Sequence, residues 1–243
     1  MKQQLIFGLH SVERFLKQAP QSVFSIQFIK GRLNPRQQNL LDQARALGLN
    51  VELVNKSAFD KADGNHQGVM AMVEKQKDLT EVDLLKIAEG KSNPLFVFLD
   101  EVQDPHNLGA ILRTADAVGV DAVVIPKNQS VGMNATVRKV ACGAADTVKL
   151  VVVTNLVRTI KDLQQQGMWM VGLAGETEQT IYQIDFKGSI GIVMGAEGSG
   201  LRRLTREACD HLAAIPMAGV VESLNVSVAT GVTLYEAMRQ RNL

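Results

Sequence analysis

The apolar run Ile190–Met194 (IGIVM) ends on three glycines within six positions, Gly195, Gly198 and Gly200, followed by the basic pair Arg202 and Arg203. A short buried strand that stops on clustered glycines must turn its backbone sharply or let a ligand approach it closely. In open α/β sheets, ligand crevices lie beyond the carboxyl ends of such strands. The glycines run G-x-x-G-x-G, not the G-x-G-x-x-G of dinucleotide folds, and no Lys-Ser or Lys-Thr follows as in a phosphate-binding loop. Alone, the stretch reads equally as a tight turn or a ligand loop.

Similar apolar runs recur at α/β spacing: Leu95–Leu99, Ala122–Ile125, Lys149–Val153, Met168–Leu173 and Ala213–Ile215. Helical spacing fills the gaps at Leu108–Val118, Asn134–Cys142, Leu156–Gln166 and Leu201–Glu207, and again after Ser223. This pattern predicts a parallel sheet with helices on both faces. Ahead of it, Val23–Lys30, Asn50–Val54 and Gln67–Val73 read as strands, and Gln37–Leu47 and Ser57–Ala62 as helices, after a first helical stretch through Val12, Phe15 and Leu16. A small α/β module over residues 1–76, a polar linker over 77–93 and a second domain over 94–243, entered at Pro94, follow from that reading.

The 243 residues are 46% hydrophobic and 21% charged, ordinary globular material. The net charge of +1 hides an asymmetry, because residues 1–77 carry +5 and residues 78–243 carry −4. A nucleic-acid-gripping module joined to a chemical module has this profile, and so do many solvated surfaces. Lys30, Arg32 and Arg36 cluster at a strand end, where phosphate contacts fit. Cys142 and Cys209 form no C-x-x-C and no metal-ligand spacing, so two reduced thiols and no metal are expected. No apolar run reaches membrane-spanning length and the start MKQQLIFGLHSVE has no signal-like core, so a cytoplasmic chain without a membrane partner is expected.

Three blocks lie in register along the chain: FLDEVQDPHNLGAILRTADAVG (Phe98–Gly119), MGAEGSG (Met194–Gly200) and IPMAGVVESLNVSVATG (Ile215–Gly231). Together they resemble the SpoU-type branch of the SPOUT superfamily of RNA 2'-O-ribose methyltransferases, and the His66-Gln67-Gly68 segment fits as well. The resemblance covers the whole chain. It implies a ribosomal-protein-like RNA-binding domain at the N-terminus and a C-terminal domain with a deep trefoil knot. That knot follows from the resemblance only, since threaded chains are otherwise excluded by default. It also implies S-adenosylmethionine as cofactor, a guanosine ribose of 23S ribosomal RNA as substrate, and a homodimer whose helices Leu108–Val118 and the C-terminal one (Val228, Val232, Tyr235, Met238) pair. A tRNA substrate, or a non-catalytic RNA-binding assembly factor, is the alternative within reach. A nicotinamide enzyme lacks its fingerprint.

By the same resemblance Asn107, Arg113, Glu197, Ser223 and Asn225 form the catalytic set. Their local readings are plainer: Asn107 at or next to a helix N-cap, Arg113 on a solvated face, Glu197 as loop polarity, Ser223 as the N-cap of the last helix. Arg113 lies about 9 Å beyond Asn107 along the helix axis, which suggests one cleft for both, with Glu197 holding Arg113 or a backbone amide. Arg113 either activates the 2'-hydroxyl or stays charged and clamps a phosphate beside it. Ile215, Met217 and Leu224 offer apolar surface to an adenine ring, and the backbone beside Gly175 and Gly195 its edge. Core packing explains Ile215 equally well. His66 and Gln67 are RNA-positioning candidates by resemblance, and a strand-capping polar loop by composition.

Overall fold

The computed structural model describes residues 3–60, 66–74 and 79–242, in two compact units divided between Lys77 and Asp78. The first unit runs β1 (Gln3–Phe7), α1 (Leu9–Gln18), β2 (Val23–Ile29), α2 (Pro35–Ala46), β3 (Asn50–Val54) and β4 (Val69–Glu74). Its sheet order is β1-β4-β2-β3. β2 and β3 are parallel across the α2 crossover, and β4 lies antiparallel between β1 and β2. The sequence pattern misses β1, because QQLIF buries only Ile6 and leaves Leu5 exposed. It also starts α2 two residues late. The Asn34 side chain accepts the Gln37 N–H at 2.9 Å and the Gln37 side chain accepts the Asn34 N–H at 2.8 Å, which moves the start to Pro35. Of the expected Ser57–Ala62 helix there is one 3-10 turn, Lys56–Phe59, and residues 61 and 62 lie outside the described residues.

The second unit holds α3 (Glu81–Glu89), β5 (Leu95–Leu99), α4 (Pro105–Val118), β6 (Ala122–Pro126), α5 (Ala135–Ala141), β7 (Leu150–Val153) and α6 (Leu156–Gln165). It continues with β8 (Trp169–Leu173), β9 (Ile190–Met194), α7 (Arg203–Glu207), β10 (His211–Ala213) and α8 (Val226–Arg241). All six strands are parallel in the order β10-β8-β9-β5-β6-β7. Strand residues alternate between two cores, as a period of two requires. Leu95, Val97 and Leu99 face α4, α5 and α8, whereas Phe96 and Phe98 face α3 and α6. Burial on both faces is why these strands read as continuous apolar runs.

Three expectations change here. The apolar stripe of α4, Leu108, Ile111, Leu112 and Ala115, is fully buried within the chain, which leaves the side of that helix bearing Arg113, Asp116 and Ala117 exposed. The segment read as a linker carries α3, whose Leu84 is fully buried, and the Thr154 N–H donates to Glu81 at 2.6 Å. The short amphipathic pattern of Val82, Leu85 and Ala88 falls on this helix, but its buried residue is Leu84 and Val82 is exposed. The last strand ends at Ala213, because Ala214 turns away to pair with Gln179–Ile181, leaving Ile215 beyond the sheet.

The end of α8 ties the unit together. Arg241 donates to the carbonyls of Phe186 (2.8 Å), Asn93 (2.8 Å) and Gly188 (2.6 Å), and Gln240 pairs with Phe186 N–H and Ile184 C=O. Burial pulls the Arg241 guanidinium below its ordinary value, but a guanidinium remains charged at any pH the protein meets. Arg241→Ala is expected to cost about 3 kcal/mol in urea unfolding, since charged donors to several carbonyls are lost at once. Beside it, hydrogen bonds from Arg239 and Gln240 hold the Glu236 carboxyl at about 2. A folded-state value below the unfolded one stabilises above about pH 4.5 and fades as pH falls toward about 2. Glu236→Gln should flatten that part of the acid-unfolding curve, by an effect of order 1 kcal/mol for so partly solvated an ion pair.

Candidate active site

The carboxyl ends of β8, β9 and β10 enclose a cleft of about 540 Å³. Gly175, Gly195, Ile215, Met217 and Leu224 all line it, as do Glu197 and Ser223. The loop after β9 closes on itself: Ala196 and Gly200 exchange backbone hydrogen bonds, each at 3.0 Å. A Cβ on Gly195 would collide with the Gly200 backbone, so only glycine permits this closure. Gly175 differs, because a Cβ there would meet nothing nearer than the Glu222 carbonyl at 3.9 Å.

Three of the catalytic candidates converge on Glu197, which lines the cleft. Asn225 Nδ2 donates to Asn107 Oδ1 at 3.0 Å and to Glu197 Oε2 at 3.4 Å, while Asn107 Nδ2 donates to the same Glu197 oxygen at 3.3 Å. Asn107 is buried on α4, Glu197 rides on the glycine loop, and Asn225 is the N-cap of α8, accepting the Ser227 N–H at 2.9 Å. Two expected caps therefore move. Asp104, not Asn107, caps α4 by accepting the His106 N–H, and Asn225, not Ser223, caps α8. Ser223 lies exposed on the cleft wall.

Arg113 stands apart from this cluster. Six residues beyond Asn107, it is turned about 240° around the helix, so the two cannot share a face. It is exposed, and its Nη1 reaches Cys142 Sγ at 3.8 Å; Glu197 holds Asn107 and Asn225 rather than Arg113. Another arginine was not singled out as a site residue by the sequence pattern. Arg202 pairs with Asp100, a fully buried carboxylate at the end of β5. The available signal was an acidic residue directly after an all-apolar strand.

In the first unit Lys30 and Arg32 are exposed, but Arg36 is engaged with Glu13 through two hydrogen bonds of 3.0 and 2.9 Å and with His10. The loop before β4 has structural partners of its own. His66 Nδ1 accepts the Gly68 N–H, its ring packs on Phe59, and Gln67 Oε1 accepts the Leu9 N–H at the start of α1.

The thiols separate cleanly. Burial pushes Cys209 up to about 12, with Asp210 and Asp100 adding to the effect, whereas Cys142 is exposed. A maleimide at neutral pH is expected to label Cys142 at least about tenfold faster than Cys209, read by peptide mapping. Among the described residues no helix is long and apolar enough to cross a membrane, and no three His, Cys, Asp or Glu side chains are grouped to hold a metal ion.

Comparison with known proteins agrees with this architecture. Residues 5–79 match the model described as RNA 2'-O ribose methyltransferase substrate binding. The 23S rRNA (guanosine-2'-O-)-methyltransferase RlmB of Pasteurella multocida is 54% identical over 239 residues, 97% of this chain and 98% of that protein. The AdoMet-bound rRNA methyltransferase of Sinorhizobium meliloti superposes with a TM-score of 0.76 at 25% identity, over 98% of this chain and 87% of that one. AviRb of Streptomyces viridochromogenes, a SpoU methyltransferase, shares the fold at a TM-score of 0.80 and 24% identity, over 99% and 91% of the two chains. With residues 94–235 matching its model, this chain belongs to the SpoU rRNA methylase family.

Proposed function

We propose that this chain transfers a methyl group from S-adenosylmethionine to the ribose 2'-hydroxyl of a guanosine in 23S ribosomal RNA, acting in the cytoplasm. The carrying observation is the cleft, lined by the glycine loop and by residues of the Ile215–Leu224 segment, with Glu197 on its wall held by Asn107 and Asn225. Relatives at 54% identity along the full chain carry that activity in their names.

The lining suits the cofactor. A volume of about 540 Å³ is right for a nucleoside-sized ligand. Glu176, Glu197 and Glu222 face it against Arg206 alone, and Arg206 is already paired with Glu176. Such a negative cleft favours a cationic ligand. When bound, S-adenosylmethionine supplies a methyl group activated on a sulfonium sulfur. Ile215, Met217 and Leu224 would flank its adenine, and Glu197, oriented by Asn107 and Asn225, would sit near its positive end. The chain must also orient the 2'-hydroxyl and take up one proton.

Arg113 enters this reading through a second copy. With Arg113 turned away from the Asn107 cluster, the one cation among the described residues lining the cleft of a single copy, Arg206, is already paired with Glu176, and α8 exposes Val228 and Tyr235, 51% and 55% accessible. A homodimer across α8 brings the partner's Arg113 to the cleft. In the same reading the basic residues 1–76 grip the RNA, residues 94–243 catalyse, and the glycine loop and the segment from Ile215 to Val226 are tucked through one another as a trefoil knot. Mapping 2'-O-methylation of 23S rRNA in cells with and without this gene tests the function. One guanosine should lose its methyl group, and an unchanged map overturns the proposal.

A further inference from the structure

A single buried residue holds both ends of the glycine loop. Asp100 follows β5 and is 0% exposed. Its N–H donates to the Met194 carbonyl at 2.8 Å, at the point where β9 ends and the loop begins. Its Oδ2 accepts the Arg202 N–H at 3.1 Å, just after the loop, and its Oδ1 accepts Arg202 Nε at 2.7 Å and Nη2 at 2.5 Å. Between these points lie residues 195–201, which carry Glu197.

The surroundings are arranged for that pairing. A carboxylate taken wholly out of water is costly unless matched by a charge and by hydrogen bonds. Here the Arg202 guanidinium supplies both, and its own outer side is held by Glu101 Oε1 at 3.1 Å and Gln129 Oε1 at 3.5 Å. Glu101 and Gln129 have φ of 66° and 62°, two of the four non-glycine residues with positive φ among those described. Side chains adopt that backbone region at a cost, and it persists where the neighbours demand it. Two strained loops, after β5 and after β6, therefore converge on one arginine. Neighbouring Arg203 has no such setting, pairing on the surface with Glu207.

We infer that Asp100 and Arg202 are positioning residues for the cofactor cleft: by clasping residues 194 and 202 they fix the loop that presents Glu197 to Asn107 and Asn225. The inference rests on the methyl-transfer reading and adds to it residues that touch neither substrate nor cofactor. Hydrogen bonding to Asp100 raises the Arg202 guanidinium further above its ordinary value, consistent with a permanently charged clasp.

The test is calorimetry with S-adenosylhomocysteine on the full chain, with steady-state kinetics on the same samples. Asp100→Asn keeps the shape but weakens the pairing. It is expected to raise the S-adenosylhomocysteine Kd and the S-adenosylmethionine KM about tenfold, with the RNA KM within about twofold, as for one lost charge-assisted hydrogen bond. A purely structural role would instead lower kcat through the folded fraction and leave the cofactor KM alone; a folded Asp100→Asn with unchanged cofactor KM overturns the inference. Should that variant fail to fold, Glu101→Gln and Gln129→Ala loosen Arg202 from its exposed side, and their cofactor KM should rise about threefold. An unchanged cofactor KM in both overturns it equally. Arg203→Ala serves as the control and should match the parent chain. A parent chain that binds no S-adenosylhomocysteine refutes the methyl-transfer reading and the clasp with it, whereas binding that is indifferent to Asp100 refutes the clasp alone.

Discussion

Arg113→Ala is expected to lower methyl transfer about 10³-fold while leaving S-adenosylhomocysteine affinity within about twofold, because a group acting on charge that develops during reaction contributes to the transition state and not to ground-state binding. The structure sharpens this expectation. Arg113 lies on the exposed face of α4, away from the Asn107–Glu197–Asn225 cluster, and in the proposed dimer it acts on the neighbouring copy's cleft. Mixing inactive Arg113→Ala with inactive Glu197→Ala should then restore about a quarter of the activity, since random exchange makes half of all dimers mixed and each mixed dimer has one intact shared site. No recovery on mixing, with both variants folded and exchanging, rules out the shared site. Arg113→Lys separates the two roles left open by the residue type. A lysine keeps the charge but not the two-pronged grip on phosphate. A dead lysine variant with weakened RNA binding supports the clamp, and activity that climbs with pH through the lysine titration supports the base.

Two glycines of the cleft should fail in different ways. Gly175→Leu projects a side chain into open space beside the Glu222 carbonyl and requires no unusual backbone angle. It should weaken S-adenosylhomocysteine binding by about a hundredfold by occupying the ligand volume, with the thermal midpoint nearly unchanged. Gly195→Ala drives a Cβ into the Gly200 backbone, so the loop itself must open. It should lose binding together with roughly 2 kcal/mol or more of stability, as overpacking at a rigid contact does. Calorimetry beside thermal melts distinguishes the two. Full binding by a folded Gly175→Leu would mean that the cofactor lies elsewhere.

The parallel sheet was legible because its strands are buried on both faces. Leu95–Leu99 and Ile190–Met194 read as unbroken apolar runs with the boundaries the structure gives them. β1 was not, for the converse reason: Ile6 is its lone buried side chain, and one residue sets no period. For α3 the amphipathic pattern of Val82, Leu85 and Ala88 was legible, but not its packing into the core through Leu84, Leu85, Ile87 and Ala88. The shift of β10 to His211–Ala213 depends on Ala214 finding Gln179 and Ile181, which no local pattern records.

For the site, the chain's order of residues determined which chemistry was available: a glycine loop closing after one strand, apolar Ile215, Met217 and Leu224 after another, and the asparagines, glutamate and arginine of the three blocks. It did not determine which of these meet. Asn107 and Asn225 are 118 positions apart and Asn107 and Glu197 are 90 apart, yet they share hydrogen bonds. Their meeting requires β9 to enter the sheet between β8 and β5, out of sequence order, which sets the glycine loop over the start of α4. The same placement let Asp100 reach Arg202, 102 positions away. Helical geometry, conversely, turned Arg113 away from Asn107 although only six residues separate them. Periodicity is written in neighbours along the chain, whereas convergence is decided by the order in which strands pair, and that order is a property of the folded sheet.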